Sequence, residues 1–217
     1  MTNVLILGAG GRTARRVIDL LAGVTGCQLT LFARDTDRIA HVPDGARVVT
    51  GDALDREALS EAITGQDIVF AALAGEVDEM AEGIITAMTA HHVDRLIFIA
   101  GLGIYDEVPG EFGERNRKLF GGYLTPYREA ADMITDSALD YTILRPAWFI
   151  DGDDVDYEVT HRGEEFRGRV VTRQSVADVV ASIVANPTRY SRDDIGISKP
   201  GSDELEPVLP GEEERGN

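Results

Sequence analysis

An α/β fold with a doubly wound parallel sheet is what the sequence predicts, on three observations. Val4, Leu5, Ile6 and Leu7 form a continuous apolar run, the pattern of a strand buried on both faces. Gly8, Gly10 and Gly11 follow at once, and Ala14, Val17, Ile18 and Leu21 behind them recur at helical spacing. Apolar runs and helical stretches then continue to about residue 198, with no internal repeat and no second hydrophobic core.

The strand, glycine turn and helix form the first half of a βαβ unit. Such a turn presents backbone N–H groups and a helix N-terminus to a pyrophosphate. Glycine permits the tight backbone and lets an anion approach with no Cβ in the way. Gly8 and Gly10 fit G-x-G-x-x-G, with Thr13 in the third glycine place. Read as G-x-x-G-x-x-A, the residues are Gly8, Gly11 and Ala14. Either reading marks Gly8, Gly10, Gly11, Arg12 and Thr13 as candidate dinucleotide contacts, against the alternative of a plain βα turn.

The second strand is Cys27 to Phe32, and Arg34 stands just beyond it. An arginine there accommodates a ribose 2′-phosphate, where an acidic residue would favour the free hydroxyl. Arg12 is a second candidate cation for that group. The expected cofactor is therefore NADP, with NAD kept as the alternative because Asp35 adjoins Arg34. A third strand, Ala46 to Thr50, leads into Gly51-Asp52-Ala53, where Asp52 either meets the adenine amino group or caps the next helix, about Asp55 to Ile63. The fourth strand, Asp67 to Leu73, ends in small residues, so Leu73, Ala74 and Gly75 join Asp52 and Ala53 as candidate cofactor contacts.

A helix from Val77 to His91 precedes the fifth strand, Arg95 to Ala100, whose end places Ala100 and the Gly101–Tyr105 loop toward the cofactor's reactive half. Asp106 to Tyr123 reads as a glycine-rich functional loop or lid, locally basic through Arg115, Arg117 and Lys118. Pro126 is expected to open a helix to about Ser137. Tyr141 to Arg145 is the sixth strand, stopped by Pro146, and Trp148, Phe149 and Ile150 form an apolar group near the ligand edge. The acidic stretch Asp151, Asp153, Asp154, Asp156 lacks a calcium-loop pattern and reads as solvated loop. No metal site is expected, since His91 and His92 lack partner ligands. Ser175 is expected to cap a further helix, and Ile195 to Ser198 to form an edge strand. The organisation predicted is one domain over 1–200 and an acidic, loose tail over 201–217.

Composition narrows the function classes. The formal net charge of −17 argues against nucleic-acid binding. The single cysteine, Cys27, allows no internal disulfide and fits a reducing compartment. No apolar run reaches the roughly 20 residues of a membrane span. The first strand begins too early for a signal peptide. A cytoplasmic protein acting on a small molecule is the expectation, with a homodimer left open.

With the glycine turn, Gly51-Asp52-Ala53 and Gly103-Ile104-Tyr105, the stretch Tyr141-Thr-Ile-Leu-Arg-Pro146 makes the chain resemble the atypical short-chain dehydrogenases/reductases, in particular their NAD(P)H-binding, NmrA-like group. The resemblance spans about Asn3 to Pro200. It implies a Rossmann core with a small C-terminal substrate region, Pro146 near the cofactor, and oxidoreductase activity by hydride transfer to a quinone, flavin or carbonyl compound. Some members of the group bind the nucleotide as a sensor without turnover. The standard serine, tyrosine and lysine are not met here. Tyr123-x-x-x-Tyr127 and Tyr127-x-x-x-Ala131 both lack the lysine, and Ala100-Gly101 stands where the serine would be. Tyr105, Tyr123 and Tyr127 remain candidate proton donors. Two readings follow, an NADPH-dependent oxidoreductase and a non-catalytic NAD(P)-binding redox sensor.

Overall fold

The computed structural model describes residues 1–207. Its centre is β1 (Thr2–Leu7), which pairs in parallel with β2 (Cys27–Ala33) on one side and β4 (Ile68–Ala71) on the other. The apolar run of β1 is continuous because both faces are covered. Val4 and Ile6 enter one core cluster, while Leu5 and Leu7 enter the other. The first cluster lies beneath α1 (Arg12–Ala22) and α5 (Arg173–Ala185). The second lies beneath α2 (Arg56–Ile63), α3 (Val77–Ala90) and the second half of α4 (Gly110–Asp136).

From β1 the chain moves outward through β2 to β3 (Arg47–Thr50), then crosses back to β4 and proceeds the other way through β5 (Arg95–Ile99) and β6 (Asp140–Pro146). The reversal beside β1 opens a crevice beyond the carboxyl ends of β1 and β4, where open α/β sheets bind ligands. The sheet is completed by β10 (Asp193–Ser198), parallel to β6, and β8 (Glu158–His161), antiparallel to β10. A separate pair, β7 (Trp148–Ile150) and β9 (Val170–Thr172), lies past the end of β6.

The structure decides five of these expectations differently or between alternatives. The stretch Asp106 to Tyr123 is not a long loop. From Gly110 it is helix, continuous to Asp136 with Pro126 inside it rather than at its start. Phe112 and Asn116 are buried there, and a Cβ on Gly113 would lie 2.0 Å from the Val108 carbonyl oxygen, so packing explains both the helix and its glycine. β10 is an interior strand, because β8 is added outside it, and the Glu-Val-Thr-His of β8 is too short and polar to announce a strand. The cap of α5 is Thr172, whose hydroxyl accepts from Ser175 N–H at 3.0 Å, so Ser175 sits inside the first turn. Asp55, not Asp52, caps α2.

The tail predicted over 201–217 is seen only in part. Ser202 is buried and its hydroxyl accepts from Arg169 N–H, while the Arg169 guanidinium donates to the Leu205 carbonyl and to Glu206. The acidic residues Glu212 to Glu214 lie outside the described residues.

Pro126 removes one backbone donor from α4 at a half-buried position. Pro126→Ala restores it and should raise the stability by up to about 3 kcal/mol, read as a higher urea midpoint.

Candidate functional site

The crevice at the switch point is a cleft of about 420 Å³. Its floor comes from the glycine turn. Gly8 takes φ of +81° and its N–H, with that of Ala9, donates to the Phe32 carbonyl at 3.0 and 3.1 Å. A Cβ at Gly8 would lie 2.3 Å from the Ala72 carbonyl oxygen, so glycine alone lets β1 and β4 end side by side. At Gly11, the cap of α1, a Cβ would meet only the Gly8 carbonyl oxygen, at 3.1 Å. Gly11 has no capping side chain, which leaves the first N–H groups of the helix open to an anion.

Gly8, Gly10, Gly11, Arg34, Asp52, Ala53, Leu73 and Ala74 line this cleft. Arg12, Thr13, Gly75, Ala100 and Pro146 do not. Arg12, read as a second cation for the ribose end, points elsewhere. Its guanidinium donates to Asp151 at 2.6 Å. The second cation in the cleft is Arg38, which sequence reasoning missed. Thr36–Arg38 forms a single 3₁₀ turn capped by Asp35, whose carboxylate accepts from Asp37 N–H at 3.2 Å. The turn brings Arg38 back to the cleft that Arg34 lines, against Gly10, and a capping signal at Asp35 was the clue available in the sequence. Asp52 accepts from Leu54 N–H at 3.0 Å and stands 3.9 Å from the Arg34 guanidinium.

The three tyrosines do not converge. Tyr123 is exposed on α4. The Tyr127 hydroxyl donates to the Leu73 carbonyl at 3.0 Å, which puts it at the edge of the cleft. Burial, and then proximity to Tyr123, raise its pKa, so it is a neutral donor at physiological pH. Tyr105 is stacked under the guanidinia of Arg128 and Arg162, 4.6 and 4.2 Å from its ring centroid. Among the described residues its buried hydroxyl has no partner in good hydrogen-bond geometry, although the Asp194 carboxylate lies near it. Burial first, and then the nearby Asp194 carboxylate, push its pKa far up.

Beyond β5 and β6 a buried charge cluster fixes the loop that carries Tyr105. Arg145 donates to Glu107 at 2.6 Å and to Asp194 at 2.5 Å, with all three side chains almost fully enclosed. Burial opposes the charge on Arg145, but Asp194 and Glu107 outweigh it and raise its pKa. Glu107 also accepts from Gly103 N–H at 3.1 Å and Tyr105 N–H at 3.0 Å. Next to it, buried Asn116 donates to the Leu102 carbonyl and accepts from Trp148 Nε1 at 2.8 Å. Trp148 packs against Phe112 and Phe120, each ring centroid 5.3 Å away. Arg115 lies over Trp148 and pairs with Glu206, and Arg117 pairs with Asp106, so two of the three cations of this stretch are engaged.

A family model for NAD(P)H-binding proteins matches residues 8–187. The chain belongs to the NAD(P)H-binding family. A Rossmann-fold NAD(P)-binding family protein from Shigella flexneri is 44% identical in its solved structure, covering 97% of this chain and 100% of its own, with a TM-score of 0.83. A short-chain dehydrogenase/reductase from Veillonella parvula, solved in complex with NADP, is 27% identical over 96% of this chain and 99% of its own, with a TM-score of 0.87. A curated relative, (4-alkanoyl-5-oxo-2,5-dihydrofuran-3-yl)methyl phosphate reductase from Streptomyces griseus, is 26% identical over 147 residues, 68% of this chain and 48% of that protein. The chain spans about half the length of that reductase.

Membership in the NAD(P)H-binding family bears out the resemblance to the atypical short-chain dehydrogenases/reductases and the Rossmann fold. The acidic stretch after β7 is an exposed loop, as expected, and three of its aspartates also form surface ion pairs. Asp151 meets Arg12 and Arg173, Asp153 meets Arg16, and Asp154 meets Lys199. No cluster of three metal-ligating side chains occurs among the described residues. No helix among them is long and apolar enough to cross a membrane.

Glu107→Gln keeps one acceptor but removes the charge facing Arg145, and should cost about 2–4 kcal/mol in chemical denaturation. Tyr105→Phe removes an unpartnered hydroxyl and should change stability at pH 7 by less than about 1 kcal/mol. Because folding raises the Tyr105 pKa, its contribution is fully present below about pH 10 and is lost above it. Melting curves of Tyr105→Phe should therefore fall less steeply in the alkaline range than those of the parent protein.

Proposed function

We propose that the protein is an NADPH-dependent oxidoreductase that transfers hydride to a small acceptor such as a quinone, flavin or carbonyl compound. The observation that carries the cofactor choice is the pair Arg34 and Arg38 at the outer end of the cleft, with the neighbouring carboxylate of Asp35 turned into its own cap. Among the described residues Arg38 has no carboxylate within ion-pair distance, so a dianionic 2′-phosphate would neutralise a charge now left to solvent. The Veillonella parvula relative, solved with NADP, supports the same choice. Its name supports the reaction class, as does that of the Streptomyces griseus reductase.

The residues fit the dinucleotide. The open N–H groups behind Gly11 suit the pyrophosphate, and Gly8 and the Leu73–Ala74 edge leave room for it to lie across the strand ends. The bound nicotinamide supplies the hydride, and the protein supplies position and electrostatics. Tyr127, neutral and already a donor at the cleft edge, is the side chain best placed to give a proton to the reduced acceptor. No lysine stands beside it to lower its pKa, which favours acceptors whose reduction needs little acid catalysis.

The alternative, a nucleotide-binding redox sensor, draws on one observation: the Tyr127 hydroxyl is held by the Leu73 carbonyl rather than free. Calorimetric titration with NADPH and NADH, followed by a scan for NADPH oxidation with quinones, flavins and aldehydes, separates the two. Turnover on any acceptor supports the oxidoreductase, and tight binding with none supports the sensor. Arg38→Ala should weaken NADPH binding about 10- to 100-fold, as loss of a charge-assisted contact does, and leave NADH binding within about twofold. Equal losses for both nucleotides would remove the 2′-phosphate assignment.

A further inference from the structure

A second pocket, of about 240 Å³, lies beside the first turn of α1 and shares no lining residue with the nucleotide cleft. Four guanidinia line it, those of Arg12, Arg15 and Arg16 from α1 and of Arg173 from the start of α5. One carboxylate, Asp151, lines the pocket with them, and a second, Asp153, pairs with one of them without lining it. One oxygen of Asp151 accepts from Arg12 at 2.6 Å and from Arg173 at 3.1 Å, and Asp153 pairs with Arg16 at 2.8 Å. Arg15 has no carboxylate within ion-pair distance among the described residues. Four positive and two negative charges leave a surplus of two, in a chain whose net charge is −17. A protein this acidic would not gather four arginines at one point to hold two exposed aspartates, since such surface pairs contribute little.

We propose that this pocket binds a phosphate monoester dianion, with the Asp151 carboxylate occupying the place of the phosphate until the ligand displaces it. Fork-shaped guanidinia from two helices suit the three oxygens of a phosphate, and a dianion matches the surplus charge. Asp151 is the displaceable member, because its side chain is 82% exposed and sits in a loop, next to Gly152 at φ of +153°. Arg173, by contrast, is largely enclosed and lies over the Phe149 ring at 4.8 Å, which fixes its direction. Burial, followed by the adjacent Arg12 and Arg16, lowers its pKa, as concentrated positive charge should. The inference deepens the oxidoreductase reading and rests on it for its meaning: the pocket would anchor an acceptor that carries a phosphate group.

Calorimetric titration of NADPH-saturated protein with inorganic phosphate, and then with phenyl phosphate, tests the site. Saturable binding of both is expected, weakened about tenfold by Arg15→Gln and by Arg173→Gln, with NADPH affinity unchanged. Asp151→Asn should tighten phosphate binding by removing its competitor, an effect that loss of a merely structural ion pair would not produce. Arg15 is exposed, so its variant keeps the test valid where Arg173→Gln fails to fold. Absence of saturable binding, or binding indifferent to both arginine variants, would overturn the proposal. Competition of phosphate with NADPH that Arg15→Gln or Arg173→Gln relieves would overturn it too, and would assign the arginines to the nucleotide's own pyrophosphate. In the nucleotide-free protein, phosphate binding that falls with Arg15→Gln but not with Arg38→Ala reads this pocket rather than the cleft, so failure of NADPH to bind would count against the oxidoreductase alone.

Discussion

The close approach of Gly8 to the Ala72 carbonyl is the constraint on which the site depends. β1 pairs with β2 and β4 at once, and the chain leaves it with φ of +81°. Any side chain at Gly8 would drive the ends of β1 and β4 apart, and with them the two walls of the nucleotide cleft. Three residues on, the same turn caps α1 with Gly11, which has no side chain to occupy the first N–H groups of the helix. Two glycines of one turn thus link sheet packing to anion recognition.

The reactive half is held by a different device. Arg145, at the end of β6, is nearly inaccessible to water and is balanced by Glu107 and Asp194. A buried charge of this kind adds little net stability, but removing one partner strands the others at a cost of several kcal/mol, roughly 3–5. Its structural effect is to pin Gly103 and Tyr105 through the Glu107 carboxylate. Asn116 extends the connection to Trp148, so α4, the loop after β5 and the β7–β9 pair share one polar framework. The catalytic lysine of the standard short-chain dehydrogenases/reductases has no counterpart four residues after Tyr127, where Ala131 stands. Charge in this region is spent on positioning instead.

The apolar strands, the glycine turn and the cofactor class were legible in the sequence because each is a local pattern. Strand burial on two faces writes a continuous apolar run, as in Val4–Leu7, and a phosphate-binding turn writes glycines at fixed spacing. Arg34 was legible for the same reason, since it adjoins its strand. Arg38 was not, because only the turn capped by Asp35 returns it to the cleft. Nor was the first half of α4, from Gly110 to Tyr123, whose glycines read as loop until Phe112 and Asn116 find their partners in the core.

The sequence by itself determined the α/β class, the order of the parallel strands' chain and the place of the dinucleotide turn, because these rest on periodicity and backbone conformation within a few residues. Only the tertiary structure decided which charges meet. Arg12 paired with Asp151, 139 residues away, rather than with the ribose end, and Arg145 gathered Glu107 and Asp194 from separate elements. Electrostatic partners are chosen by distance in space and by burial, and neither is written in the local pattern of a chain.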